Sequence, residues 1–342
     1  MRIPAEIEYV LRRLEACGHE AYLVGGCVRD ALRGAAPDDF DVTTSALPDE
    51  TERVFAADRV LETGLKHGTV TVLHGGMPVE ITTYRTEGAY SDGRHPDSVS
   101  FTRSLAEDLC RRDFTVNAMA MDVHGSVVDL YGGREDLAAG CLRAVGNPAT
   151  RFTEDALRIL RAFRFAAKLG FAIEPATFAA AAELAPRLRL VSRERIFVEL
   201  CKLVCALYAA TVLAQMADSG VFDCIFDAPR LNRRALAYLG TLPARAEIRL
   251  AALFYGDAAA ETHIASLKPS TAFLRRAAGI LRAAAPTSDA PSLRRFVYAN
   301  GADVARAAVL VLAGEQEMLA DLPARLEALL TREDCFTLRD LK

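Results

Sequence analysis

Up to about residue 140, short apolar runs alternate with turn residues: Ala21-Tyr22-Leu23-Val24 ahead of Gly25-Gly26, Gly68 to Leu73 ahead of Gly75-Gly76, Val79 to Tyr84, and Phe114 to Leu130. Runs rich in Val, Thr, Tyr and Phe, alternating in polarity and bounded by glycine, predict strands. From Thr153 onward the pattern changes. Apolar residues recur at helical spacing, Ala, Leu and Arg become abundant, and β-type runs nearly vanish, which predicts helices throughout. Prolines and glycines from Pro175 to Pro323 divide that stretch into helices of ordinary length, and no fixed-period repeat calls for a solenoid. The expected architecture is an α+β N-terminal head with a mixed β-sheet over residues 1–140, followed by all-α neck (141–205) and body (206–330) domains, with 331–342 beginning a further segment.

A chain of 342 residues exceeds what one core usually holds, and 51% hydrophobic with 25% charged residues is a globular composition. The opening segment carries Glu6, Glu8, Arg12, Arg13 and Glu15, so it has neither the apolar stretch of a signal peptide nor that of a membrane span. The expectation is a cytoplasmic protein with no membrane partner, and nothing calls for an obligate protein partner. Eight cysteines (Cys17, Cys27, Cys110, Cys141, Cys201, Cys205, Cys224 and Cys335) stand among apolar neighbours and are expected to be reduced core residues. Cys201 and Cys205 share a helix face, but no CxxC pair or nearby histidine completes a zinc site. A net charge of -4 excludes a protein that coats nucleic acid non-specifically, so an RNA substrate needs a local basic surface. Arginines crowd between Arg143 and Arg195 and offer one.

Several segments carry candidate chemistry, each with a plainer reading beside it. Gly25-Gly26 ends a strand and opens a helix, where turned backbone amides suit a phosphate and Arg29 adds a donor fork; the plainer reading is a tight turn. Asp39 and Asp41 flank Phe40 as if on a strand, with side chains on one face about 6.5 Å apart and Asp38 pointing away. Paired carboxylates there suit Mg²⁺, which keeps water and substrate phosphates in its shell; the plainer reading is an acidic turn after Pro37. Glu80, on the alternating strand Pro78 to Arg85, lies beside them in this scheme and completes a site for two metals about 3.5 to 4 Å apart. Arg111-Arg112-Asp113, leading into a strand, fits a triphosphate and a ribose hydroxyl equally with a helix end whose basic residues complement the dipole. Thr153 looks like the N-cap of a helix on which Asp155 and Arg158 face the same way, either as an intrahelical ion pair or as an imitation of a base edge. Arg158, Arg161, Arg164 and Lys168 continue along that helix as a track for an RNA backbone.

In order and spacing these segments resemble the class II, bacterial-type tRNA nucleotidyltransferases and the poly(A) polymerases that share their motifs, over about residues 20 to 200. LVGGCVRDALRG with DFDVTT is similar to the catalytic motif, TGLKHGTVTV and VEITTYR follow it, RRDFTVNAMA resembles the ribose-binding motif, and VVDLYGGREDL the hinge. EDALRILRAFRF resembles the nucleotide-selecting helix and VSRERIFVEL its buttress. The resemblance implies a polymerase-β-like nucleotidyltransferase head, with Asp39 and Asp41 holding two Mg²⁺ ions and Glu80 assisting at the attacking 3′-hydroxyl. It also implies that Gly25, Gly26 and Arg29 cradle the triphosphate and that Arg112, Asp113 and Asn117 meet ribose and phosphates. Asp155 with Arg158 would pair with cytosine or adenine of CTP or ATP, and Arg161 and Arg164 would extend that surface. The implied partner is the tRNA 3′ end.

The polar stretch Glu87 to Phe101 resembles the loop that enzymes completing the final A require, which favours CCA addition or A addition over CC addition alone. A poly(A) polymerase is the alternative. A non-catalytic RNA-binding protein and a nucleotidyltransferase of small molecules are the rivals from other classes; the three acids speak against the first and the long helical region against the second. The helical region shows no His-Asp pairing of the phosphohydrolase type, so no such activity is expected. Thr337 to Lys342 resembles the start of the family's C-terminal tail, which implies a truncated tail and weakened tRNA affinity.

Overall fold

The computed structural model describes residues 3–37, 39–61, 64, 68–88, 99–227 and 229–331. Expectations attached to Asp38, to Cys335, to Leu65, Lys66 and His67 of the TGLKHGTVTV run, to residues 89–98 and to the tail beyond 331 lie outside them. Chain contacts divide the protein into one unit of residues 1–162 with 171–190 and a second of 163–170 with 191 onward. Residues expected to form a neck are therefore shared between the two.

The first unit is built on a mixed sheet. Its elements, in order, are α1 (Ala5–Ala16), β1 (Ala21–Val24), α2 (Gly26–Leu32), β2 (Asp41–Thr44), α3 (Pro48–Val54), β3 (Arg59–Leu61), β4 (Thr69–His74) and β5 (Met77–Thr83). Then come β6 (Arg85–Glu87), β7 (Val99–Phe101), α4 (Leu105–Cys110), β8 (Met119–Met121), β9 (Val127–Asp129), α5 (Gly133–Ala139) and β10 (Cys141–Leu142). The seven-stranded sheet has the order β3-β4-β5-β2-β1-β8-β9, and β6 pairs with β7 separately. Within that sheet β2 and β5 run parallel while the other neighbouring pairs run antiparallel.

Alternation of side chains gives the sheet two different faces. Leu23, Val42, Val79 and Ile81 point into one core with Ile7, Val10, Leu11 and Leu14, the apolar stripe of α1 at helical spacing. Val24 and Ala120 point the other way and meet Leu109 of α4. The β4–β5 hairpin turns through Gly75 (φ 58°) and Gly76 (φ 85°), and a two-residue turn with both φ positive matches the twist of the strands it joins.

Three sequence expectations change here. Strand β2 begins at Asp41, so Asp39 precedes it and the same-face spacing argument does not apply. The 114–130 run is not continuous strand: residues Thr115–Asn117 form a 3₁₀ turn before β8. The region after Thr153 is not purely helical either, since β11 (Ala172–Ile173) pairs in parallel with β10.

Thr153 does not open a helix. It lies inside α6 (Pro148–Glu154), whose N-cap is Asn147, accepting from Thr150 N at 3.1 Å, with Pro148 in the first turn. The chain breaks at Asp155, which is extended (φ -135°, ψ 106°), and α7 (Leu157–Leu169) starts two residues later. Helix α8 (Pro175–Leu184) completes the unit and packs against α6.

The second unit holds the C-terminal end of α7, α9 (Arg193–Val204) and nine further helices from α10 (Ala209–Asp218) to α18 (Leu322–Leu330) among the described residues. Phe222, Phe226 and Phe254 form its aromatic centre. The expectation concerned pairing of the phosphohydrolase type; a His–Asp contact of another kind is present, with Nε2 of the buried His263 3.2 Å from Oδ2 of the half-buried Asp257. Its ring stands against Phe226 and Phe254, and the two residues are apart in sequence, so the pair is a core feature of the helical packing. The cysteines also differ from expectation, because Cys27 is buried whereas Cys17 is exposed and Cys110, Cys141, Cys201, Cys205 and Cys224 are half-buried; none of these is in a disulfide. Among the described residues no single helix is long and apolar enough to cross a membrane; one pair, residues 290–300 and 302–315, has the length together but bends by 119° at the break.

Candidate active site

Parallel pairing of β2 with β5 sets Asp41 beside Glu80 in register, on strands about 4.8 Å apart. On the other side of β2, Asp41 is opposite Val24, the residue before Gly25. Because Val42 and Ile81 point into the core, Asp41 and Glu80 project from the opposite face. Surrounding protein desolvates the Asp41 carboxyl and raises its pKa, Asp39 raises it further, Arg112 pulls it down, and Glu80 adds to the rise. The structure thus brings Asp41 and Glu80 side by side on adjacent strands, with Asp39 near enough to act on the Asp41 carboxyl.

Among the described residues no three acidic, histidine or cysteine side chains come together in an arrangement that holds a metal by itself. The three-carboxylate cage expected from sequence is not formed. Carboxylate oxygens that repel one another nevertheless suit a hard cation whose shell is completed by water and phosphate. The acids present fit a divalent ion in that restricted sense.

Gly25 stands between the acids and a cation. Its φ of 76° is a left-handed conformation that side chains disfavour, and a Cβ there would lie 3.3 Å from Arg112 Nη1 and 3.9 Å from Asp41 Oδ2. Arg112 follows α4, and its Nη2 donates to Asp108 Oδ2 at 3.3 Å. Its Nε is buried, and among the described residues nothing accepts from it.

Asp108 is fully buried, and it is not among the residues that the sequence analysis singles out. Arg111 donates to its Oδ1 from Nε (3.0 Å) and Nη2 (2.7 Å). Burial raises the Asp108 pKa, but the two guanidiniums outweigh it and hold the carboxyl below its usual range. Acid followed by basic residues at three and four positions was the available signal.

Arg29 and Gly26 are placed differently from the expected phosphate cradle. A Cβ on Gly26 would meet Arg29 Nη2 at 3.5 Å. The Arg29 guanidinium is buried and donates to Asp30 through Nε and Nη2, both at 2.9 Å, and to Asn117 Oδ1 through Nη1 at 2.6 Å. Asn117 Nδ2 donates in turn to Asp113 Oδ1 at 3.1 Å, which also accepts from Phe114 N at 2.8 Å. Arg161 donates to Asp113 Oδ2 from Nε (2.8 Å) and Nη2 (2.5 Å). A continuous polar chain therefore runs Asp30, Arg29, Asn117, Asp113, Arg161. Burial alone raises the Asp113 pKa, but Arg161 and Asn117 bring it down to about 2.

Helix α7 does not present its arginines as an open track. Arg158 is buried and donates to Glu154 Oε2 at 2.6 Å and to the Arg111 carbonyl at 2.9 Å. Arg161 meets Asp113, and Arg164 Nε lies 2.5 Å from Glu199 Oε2 of α9, within the second unit. Asp155 caps α7, its Oδ1 accepting from Leu157 N at 3.0 Å. Beside this corner is a cleft of about 190 Å³ lined by Thr86, Glu107, Cys110, Arg111, Arg151 and Glu154.

A mixed sheet that sets acidic side chains on adjacent strands beside a glycine turn, continued by helices, defines a protein with a nucleotidyltransferase head. Comparison with known families agrees: the Poly A polymerase head domain matches residues 21–143, and the domain described as a probable RNA- and SrmB-binding site of polymerase A matches residues 170–233. The crystal structure of the Bacillus stearothermophilus CCA-adding enzyme in complex with CTP is 34% identical, with a TM-score of 0.81 over 96% of this chain and 82% of that one. The chain belongs to the family of CCA-adding enzymes. CCA-adding enzymes of Streptococcus suis and Streptococcus pneumoniae are each 50% identical over 66% of this chain, and the match covers 56% and 57% of their own length respectively, so the chain spans little more than half of these curated relatives.

Proposed function

We propose that the protein adds nucleotides without a nucleic-acid template to the 3′ end of tRNA, transferring CMP and AMP from CTP and ATP with release of pyrophosphate. The observation that carries this reading is the meeting of Asp41, Glu80, the Gly25 turn and Arg112 on one sheet face. The relatives with CTP bound and with CCA-adding activity in their names supply the substrate class.

In this reading Asp39 and Asp41 hold divalent metal, with Mg²⁺ the natural ion for oxygen ligands and phosphates. Bound there, the ions would neutralise phosphate charge and acidify the attacking hydroxyl. The protein's own groups do the rest. Gly25 leaves room for the triphosphate, and Arg112 directs a guanidinium at it. Glu80, one strand over from Asp41, faces the 3′-hydroxyl. Asp113 and Asn117, held by Arg161 and Arg29, fix the wall against which the ribose lies. Arg158, oriented by Glu154, and Asp155 at the start of α7 select the base. Most of the acceleration then comes from positioning and charge neutralisation.

The test gives purified protein a tRNA lacking its 3′ terminus, with Mg²⁺ and each nucleotide separately and together, and reads product length. Products ending after CCA support the reading. A long ladder with ATP alone makes it a poly(A) polymerase, and no incorporation from any nucleotide overturns it.

A further inference from the structure

Asp108 reaches three parts of the site at once. Its Oδ1 takes both Arg111 bonds and the backbone N–H of Arg85 (3.4 Å), the first residue of β6. Its Oδ2 takes Arg112 Nη2 (3.3 Å) and Thr43 Oγ1 (3.4 Å), two residues along β2 from Asp41. Thr43 Oγ1 is also within 3.1 Å of the Thr82 carbonyl on β5, so the contact lies where the two carboxylate strands join. A fully buried carboxylate is costly unless paired, and here two guanidiniums and the Arg85 amide satisfy it, while the Thr43 hydroxyl divides its single proton between Asp108 and the nearer Thr82 carbonyl.

The consequence concerns Arg112, which stands between two acids. Asp41 attracts it, and Asp108 anchors one end of its fork. With Nη2 so held, Nη1 faces the open side of Gly25 and Nε stays without a protein acceptor among the described residues. Without the anchor, the same guanidinium is free to swing onto Asp41 and neutralise it, which removes at one stroke the phosphate donor and a carboxylate acceptor.

We infer that Asp108 is a positioning residue for nucleotide binding: it holds Arg112 off Asp41 and presents that guanidinium to the phosphates of a nucleoside triphosphate. This rests on the proposed function but concerns a residue that touches no substrate. The role is directed at phosphate-rich ligands through Arg112, whose Nη1 lies at the Gly25 turn while Nη2 is held; Arg111, the other arginine that Asp108 holds, lines the cleft with Glu154.

The experiment measures equilibrium binding of CTP and of CMP to wild type, Asp108→Asn, Arg112→Gln and the double variant, with thermal melts of each. If wild type binds no CTP, the proposed function fails and not this inference alone. Given wild-type binding, the expected result is a loss of about tenfold or more in CTP affinity for Asp108→Asn, CMP affinity within about twofold, and no further loss in the Arg112→Gln background, the signature of two residues acting as one. Should Asp108→Asn fail to fold, Asp108→Glu keeps the charge and moves the anchor, and the same selective loss of CTP over CMP is expected in smaller degree. Equal weakening of CTP and CMP, or losses that simply add to those of Arg112→Gln, overturns the inference.

Discussion

Arg161 and Asp113 form an ion pair in which Nε and Nη2 both address a single carboxylate oxygen, at 2.8 and 2.5 Å, joining α7 to the segment after α4 across 48 residues of sequence. The carboxyl is buried and held down to about 2, so its ionised form stabilises the fold above the ordinary carboxylate range. That contribution is lost as pH falls from about 4 toward 2. Arg161→Ala is expected to cost about 2 kcal/mol at neutral pH, less than a fully buried pair because the arginine keeps some solvent contact. The difference from wild type should close on acidification through that window, as read by circular dichroism melts; a gap independent of pH would contradict the pairing.

Asp41→Asn should abolish incorporation and yet leave a slightly more stable protein. Its raised pKa means that the ionised carboxylate is disfavoured where it sits, so removing the charge relieves first the cost of desolvation and then the repulsion from Asp39 and Glu80. Although neighbouring protein partly desolvates the carboxyl, the Asp41 residue is exposed, so the gain is under about 1 kcal/mol, a rise in Tm of at most about 3 °C. A fall in Tm would show that Asp41 is a structural residue.

Gly25→Ala and Gly76→Ala both place a side chain at positive φ, with similar strain of about 1 kcal/mol. They should separate in activity. The new methyl at position 25 crowds Arg112 and comes into contact with Asp41, whereas the one at 76 meets nothing within 4 Å. Incorporation is expected to drop more than tenfold for the first and stay near wild type for the second, at matched melting temperature.

Glu154→Gln is expected to loosen base choice. Its carboxylate orients the Arg158 guanidinium at 2.6 Å, so the variant should raise misincorporation of UTP and GTP relative to CTP by about tenfold, the order of one lost charge-assisted bond. Unchanged selectivity in single-nucleotide assays would remove Arg158 from the base-reading role.

How much of this was legible beforehand depended on whether the signal was local. Glu80 was placed on a strand beside the first acids because Val79 and Ile81 alternate with it, and alternation survives folding. Asp39 was assigned to the strand by the same rule, but the strand starts at Asp41. The break at Asp155 was missed although Asn147-Pro148, a capping residue followed by proline, announces a helix six residues earlier than Thr153. Asn117 lies 88 residues from Arg29 and Asp113 lies 48 from Arg161, and no spacing rule reaches across those distances. Of the arginines expected to form an open basic track, Arg158 meets the local Glu154, whereas Arg161 and Arg164 are held by carboxylates visible only in three dimensions.

The parallel alignment of β2 with β5 also constrains how the molecule comes into being. Thr43 and Thr82 are 39 residues apart, so closing this pair waits on a slow, non-local event that neighbouring hairpins do not require. Arg161 must then emerge before Asp113 finds its counter-ion. A nascent chain halted short of that helix would carry Asp39, Asp41 and Glu80 and still lack the brace that shapes the wall beside them, so competence waits on synthesis beyond Arg161.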